Sequence, residues 1–331
     1  MKIAFFALRN FDELAFCKQY SAFYGIDYVW TSEYPNPNNL SLAKECVGVS
    51  FTPCLVTEKY VDVFKECGVK YFLCRSIGYD HLPCKYIRDK GMHIATSPYP
   101  TECVADYALM LILMTTRKVQ QTMIRAAAQD YTLKGKMGRA INSCTVGVIG
   151  TGHIGSVLVK HLAPLGCTIL VCDPYQKDEL KKYARYVELD ELLAKSDVIS
   201  LHLPASDSTF HMINTQAINK MKDGVIIVNT ARGTLIDSKA LIAGLKSGKI
   251  GGAALDVLEN ENGLYYYNRC GDNIDNDELA ILRSFPNVIC TPHTAFYVES
   301  TVANMIKKAF MTIDYYRRGE PYPNEIDLSS Y

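Results

Sequence analysis

An α/β protein with two parallel-sheet domains, the second of them doubly wound, is the fold that the sequence predicts. Three observations carry this. Short β-rich runs alternate with helical segments along most of the chain, a glycine turn links a strand to a helix near the middle, and one long helix follows the last strand. A length of 331 residues suits two domains better than one.

In the first hundred residues the candidate strands are KIAFFAL, IDYVW, VGVSF, KYFLC and HIATS, with helices around Glu58–Cys67 and Pro83–Lys90. The first strand runs into Leu8-Arg9-Asn10 without a glycine turn, so this domain offers no phosphate cradle. After Pro98-Tyr99-Pro100 comes an apolar helical run, Thr101–Lys118, too apolar for a one-sided surface helix. It is expected to be either core or a subunit interface. From Cys144 the strands TVGVIG, CTILVCD, DVISLHL, GVIIVNT, GGAALDV and VICTPH recur between helical segments and form the doubly wound sheet. The final helix, Glu299–Arg318, is expected to pack back on the first domain. That makes the domain discontinuous, residues 1–100 with 298–331, around a second domain of residues 101–297.

Composition narrows the function. Apolar residues make up 48% and charged residues 21%, which supports real cores. Lys plus Arg equals Asp plus Glu at 35 each, and there is no basic run, which argues against nucleic acid or a membrane surface as partner. The first residues lack the pattern of a signal peptide, and the most apolar stretch, Ala108–Met114, is far shorter than a bilayer span. The twelve cysteines are scattered through apolar segments with no CxxC pair, so no metal site is expected. They read as reduced, mostly buried thiols of a cytoplasmic protein.

Gly150-Thr151-Gly152-His153-Ile154-Gly155 follows the strand TVGVIG and opens a helix. The first glycine allows the tight turn, the second lets a pyrophosphate approach the backbone, and the third lets helix and strand pack closely. The helix amino terminus then offers free N–H groups to phosphate. Asp173 ends the next strand, 18 residues after Gly155, where an acid accepts ribose hydroxyls and repels a 2′-phosphate. The expected cofactor is NAD rather than NADP.

Arg232, Glu261 and His293 each follow a later strand, so all three point to one crevice beyond the carboxyl ends of the sheet. Guanidinium is a planar, permanently charged partner for a substrate carboxylate. Imidazolium can give a proton to the alkoxide that forms when hydride reaches a carbonyl carbon, and a carboxylate behind it favours the protonated ring. The remaining histidines, among them His81, His153 and His202, read as structural or at most as cofactor contacts.

The segments GTGHIG, Asp173, NTARGTLID, ALDVLENE and TPHTAFY together resemble the D-isomer-specific 2-hydroxyacid dehydrogenases, and the resemblance runs from the first strand to the final helix. It implies a Rossmann-type dinucleotide domain inserted into a flavodoxin-like parallel-sheet substrate domain. It also implies that Arg232 binds carboxylate, that Glu261 supports His293, that His293 donates the proton, and that Asp256 lies near the nicotinamide. The cofactor contacts expected on this reading are Gly150, Gly152, His153, Ile154, Gly155, Asp173, Leu203, Pro204, Thr209, Thr230, Ala231, Arg232 and Asp256. The loop Arg75–Asp80 is similar to the family's substrate loop, in which backbone N–H groups at Ile77 and Gly78 hold the carboxylate. Phe51, Tyr79, Tyr99 and Phe296 are expected near the substrate side chain. The resemblance further implies a homodimer through the inserted domain, by way of the Thr101–Lys118 helix.

His293 follows Glu261 by 32 residues with an aromatic-polar insert, Leu264–Asp277, between them. That spacing resembles the D-lactate and D-2-hydroxyisocaproate branch. Phosphoglycerate dehydrogenases often add a regulatory domain, and formate dehydrogenases lack the glutamate. Phe51, where lactate-type members can carry tyrosine, leaves the choice between lactate and bulkier acids open. Pro98–Pro100 and the chain just past His293 are the two expected crossings between domains, and closure about them is expected to exclude water. The competing reading is an NAD-sensing binding module like the corepressor relatives of this fold. Those relatives usually carry disordered or basic tails, which this sequence does not show.

Overall fold

The computed structural model describes every residue except Asn262, Ser330 and Tyr331, so the last two residues of the expected first domain lie outside the described part. The chain divides into two compact units, residues 1–100 with 297–331 and residues 101–296. Tyr297 falls with the first unit, one residue before the boundary expected from the sequence.

The first unit contains β1 (Lys2–Phe5), α1 (Leu14–Tyr24), β2 (Asp27–Trp30), β3 (Gly48–Phe51), α2 (Glu58–Glu66), β4 (Tyr71–Cys74), α3 (Cys84–Asp89) and β5 (His93–Ala95). Its strands are all parallel in the order β2-β1-β3-β4-β5, the flavodoxin-like arrangement. Successive residues of a strand face opposite sides, so Ala4, Val49, Phe51, Phe72 and Ile94 meet α2 and α3 on one face. Ile3, Phe5, Tyr71 and Leu73 meet α1 and the last helix, Glu299–Arg318, on the other. With both faces covered, β3 and β4 are buried along their whole length, which is why they read as unbroken apolar runs. The last helix does pack within this unit, against α1 and β4.

The second unit contains α4 (Glu102–Thr116), α5 (Val119–Ala127), β6 (Thr145–Ile149), α6 (His153–Leu162), β7 (Thr168–Cys172), β8 (Arg185–Tyr186), α7 (Leu189–Lys195) and β9 (Val198–Leu201). It continues with α8 (Thr215–Lys220), β10 (Val225–Asn229), α9 (Ser238–Ser247), β11 (Ile250–Leu255), α10 (Asp277–Ser284) and β12 (Val288–Cys290). The strand order is β12-β11-β10-β9-β6-β7-β8, again parallel throughout. This is the Rossmann arrangement: the winding reverses beside β6, and ligands bind beyond strand carboxyl ends at such a reversal.

The apolar run after Pro100 is split between core and surface. Ala105, Ala108, Leu111 and Ile112 of α4 pack on the sheet with Val146, Val148 and Val228, whereas Met110 stays 39% exposed. Thr115 and Thr116 turn their hydroxyls back to the Leu111 and Ile112 carbonyls, and Lys118 adopts φ +51°, which ends α4 and starts α5. Two elements lie outside the sequence expectations: the strand Arg185–Tyr186, which has only two residues, and helix α5, none of whose nine residues is buried.

Candidate active site

Six loops gather at the carboxyl end of the second unit's sheet. They follow β6, β7, β9, β10, β11 and β12, and they carry Gly150, Asp173, Leu203, Arg232, Asp256 and His293 respectively. Two glycines explain how the turn after β6 closes. Gly150 has φ +91° and any Cβ there would lie 2.5 Å from the His202 carbonyl, while a Cβ on Gly155 would lie 2.0 Å from the Gly150 carbonyl. Gly152 is different, because nothing lies within 4 Å of where its Cβ would stand. That opening sits at the start of α6, whose first N–H groups have no partner within the helix.

Asp173 turns its carboxylate back on this turn. Oδ2 accepts from the Thr151 N–H at 2.6 Å and Oδ1 from the Tyr175 N–H at 2.8 Å. Each oxygen keeps a second lone pair for a ribose hydroxyl. Between β9 and α8 the Thr209 hydroxyl closes the loop by donating to the Pro204 carbonyl at 2.8 Å. Thr230 Oγ1 is buried without a hydrogen-bond partner among the described residues, a group that a bound molecule would satisfy. An open glycine backbone at a helix start, an acid at the next strand end and an orphaned hydroxyl fit a dinucleotide. His202 reads as structural. Burial pushes its imidazole down to about 4, so it is neutral at pH 7, with Nε2 and Ser200 Oγ 2.8 Å apart.

Asn229 shapes the turn that carries Arg232. Its Nδ2 donates to the Arg232 carbonyl at 2.8 Å and its Oδ1 accepts from the Ala231 N–H at 3.0 Å. Gly233 lets this turn press on the next one, since a Cβ there would lie 2.0 Å from the Leu258 carbonyl carbon. A second histidine–carboxylate pair staples the same region: His211 Nε2 and Glu259 Oε1 are 2.6 Å apart. Glu259 Oε2 also accepts from the Ser238 N–H, and the His211 N–H donates to the Thr234 carbonyl. Sequence reading missed this pair. Its one signal is a glutamate two residues before Glu261.

Glu261 and His293 are brought together. Glu261 Oε1 lies 2.6 Å from His293 Nδ1, and Oε2 accepts from the Leu258 N–H at 2.9 Å. The side chains of His293 and Glu261 stay 26% and 23% exposed, so the ring is fixed yet reachable. With Nδ1–H given to the carboxylate, Nε2 is the nitrogen left to face a substrate. His293 has φ +53°, a strained setting for a residue with a Cβ. Its N–H donates to the Asp256 carbonyl at 2.8 Å.

Asp256, expected near the nicotinamide, lies one residue past the end of β11. It is fully buried, and its carboxylate accepts from Thr291 Oγ1 at 2.6 Å and from the Thr294 and Ala295 N–H groups, both at 2.9 Å. It holds the His293 loop. Phe51, expected near the substrate side chain, ends β3. The two-residue period that buries Val49 puts Phe51 on the same face, where it is 0% exposed and packs on Phe72 and His81.

Other expected residues of the first unit stand in loops. Ile77 is exposed, Gly78 and Tyr79 are half-buried, and Ser76 Oγ donates to the Gly78 carbonyl at 2.6 Å. Tyr99 is half-buried beside Pro98. Arg75, which opens the substrate-like loop, is buried and ion-paired at 3.1 Å with buried Glu13, so it serves the fold rather than a ligand.

Comparison with known proteins agrees with this geometry. The sequence model of the D-isomer specific 2-hydroxyacid dehydrogenase NAD binding domain matches residues 109–295, inside the second unit. The chain is similar to an aromatic 2-oxoacid reductase of Clostridium sporogenes, 37% identical over 318 residues and 95% of both chains. It is 41% identical over 269 residues to a D-specific alpha-keto acid dehydrogenase of Enterococcus faecalis, covering 81% of this chain and 82% of the other. Among solved structures it resembles a D-lactate dehydrogenase of Treponema pallidum, with a TM-score of 0.87, 32% identity, and 99% and 100% of the two chains covered. A Rossmann unit with an open glycine turn, a glutamate–histidine pair beside an arginine turn, and these matches together place the chain among the NAD-dependent D-isomer-specific 2-hydroxyacid dehydrogenases.

Proposed function

We propose that the protein reduces a small 2-oxo acid, pyruvate or a somewhat larger analogue, to the (R)-2-hydroxy acid, and that it runs the reverse reaction as well. The observation that carries this reading is the 2.6 Å contact between Glu261 and His293, made at the strand ends where Arg232 also stands. When bound, NADH supplies the hydride that C2 of the acid receives. Arg232 holds the substrate carboxylate with its guanidinium fork and orients the carbonyl. His293, charged on Nε2, gives its proton to the carbonyl oxygen as negative charge develops there, and Glu261 stabilises that charged ring. Asp256 keeps the His293 loop in its strained conformation.

The residues proposed to bind the cofactor are those of the glycine turn with Asp173, Leu203, Pro204, Thr209, Thr230 and Ala231. Ile77 and Gly78 are proposed to add backbone donors for the substrate carboxylate, with Tyr79, Tyr99 and Phe296 near its side chain. A homodimer through the second unit belongs to the same reading. Exposed Met110, Met123, Ile124, Leu133 and Met137 on and after α4 support it. A cytoplasmic location is supported by twelve free cysteines.

The test is NADH oxidation by the purified protein with a panel of 2-oxo acids from pyruvate to phenylpyruvate. An apolar pocket distinguishes one methylene by only about 1–3 kcal/mol, so several acids are expected to turn over, each yielding the (R) product. NADH binding without consumption on any acid would favour the NAD-sensing reading instead.

A further inference from the structure

We propose that Tyr266 positions the proton donor and walls the space for the substrate side chain, favouring 2-oxo acids with an aromatic side chain. This deepens the reduction proposed above and rests on it. Tyr266 belongs to the insert that separates Glu261 from His293, and the insert returns to the donor. Its phenol donates to the His293 carbonyl at 2.8 Å. His293 is then tied at three atoms by three residues of the connection after β11: its N–H by the Asp256 carbonyl, its Nδ1 by Glu261 and its carbonyl by Tyr266. A residue at φ +53° persists only when its surroundings hold it, so removing one tie lets the ring drift from the reacting oxygen.

The base of the insert is anchored. The Leu264 and Tyr265 N–H groups donate to the Glu261 carbonyl at 3.0 and 3.3 Å, and the Arg269 guanidinium donates to the Gly263 carbonyl. Leu264 and Tyr265 pack against the core. Tyr266 itself has φ +69° and remains 48% exposed. One tyrosine is therefore turned in and the next is turned toward His293.

The rings form a triangle. Tyr266 lies 6.1 Å from the His293 ring and 6.4 Å from Phe296, edge-on to the latter, and Phe296 lies 6.5 Å from His293, also edge-on. The imidazole thus stands beside two aromatic side chains. Aromatic rings attract one another in edge-to-face and offset arrangements, a gain that a methyl group does not receive. A planar ring carried one carbon beyond the reacting carbonyl suits such a wall better than pyruvate does.

Two variants separate the hydroxyl from the ring. The readouts are kcat and KM for pyruvate and phenylpyruvate, with the NADH dissociation constant measured by fluorescence. Tyr266→Phe should lower kcat on both acids about three- to tenfold, as loss of one hydrogen bond that acts on the donor implies, with KM and NADH affinity near the parent. Tyr266→Leu should in addition lower the phenylpyruvate-to-pyruvate ratio of kcat/KM about threefold or more. Parent kcat in Tyr266→Phe, or an unmoved ratio in Tyr266→Leu, would overturn the proposal while leaving the reduction itself standing. A parent that consumes NADH on neither acid would instead remove the reduction reading, and this one with it.

Discussion

His293→Gln should cut kcat for 2-oxo acid reduction by roughly 10²–10⁴-fold, the range that one general acid supplies, with NADH affinity near the parent value. Glutamine keeps a polar side chain of similar reach, so the loop stays held by Asp256 through the Thr291, Thr294 and Ala295 contacts. What it cannot do is carry a labile proton to the oxygen. The loss should therefore fall on kcat, with KM for the acid changed much less, because carboxylate binding is assigned to Arg232. Steady-state rates on the most active acid, beside an NADH titration followed by fluorescence, check both halves. Parent-like turnover would show that the proton comes from elsewhere.

Arg232→Lys should lower kcat/KM about ten- to a hundredfold, as expected when a charge-assisted pair worth about 1.5–3 kcal/mol loses its second hydrogen bond. Lysine keeps the charge, so the acid is still attracted, but a point charge does not fix the plane of a carboxylate. The carbonyl is then less well aimed, and KM should rise while kcat falls. The turn itself should survive, since Asn229 and Gly233 shape it through backbone contacts that the substitution leaves in place. A rise in KM with kcat unchanged would mean that Arg232 binds the acid without orienting it.

Much of this arrangement was legible because its causes are local. Parallel strands buried on both faces read as apolar runs, and the glycine turn is dictated by backbone approaches that no other residue allows at Gly150 and Gly155. The pairing of Glu261 with His293 was expected from family resemblance and chemistry, and the structure places the two in contact. What the spacing does not announce depends on tertiary placement. Asp256 is one residue past the end of β11, and nothing in its neighbours says whether its carboxylate turns to a ligand or to the loop after β12. Phe51 carries the right chemistry for a pocket, and its strand register packs it among the core side chains. His211 meets Glu259 across 48 residues, and Tyr266 meets His293 across 27, distances at which spacing carries no signal.

The central claim is that Glu261 holds the His293 ring so that Nε2 can deliver a proton. The most direct measurement is kcat and KM for 2-oxo acid reduction in the parent and in Glu261→Ala, beside an NADH titration followed by fluorescence. The carboxylate lies 2.6 Å from Nδ1 and fixes the ring from behind. Without it the ring is free to turn, and Nε2 is no longer aimed at the reacting oxygen. Glu261→Ala should therefore lower kcat about ten- to a hundredfold, with KM and NADH affinity near the parent. Parent kcat in Glu261→Ala would contradict the account, because His293 would then deliver its proton without Glu261.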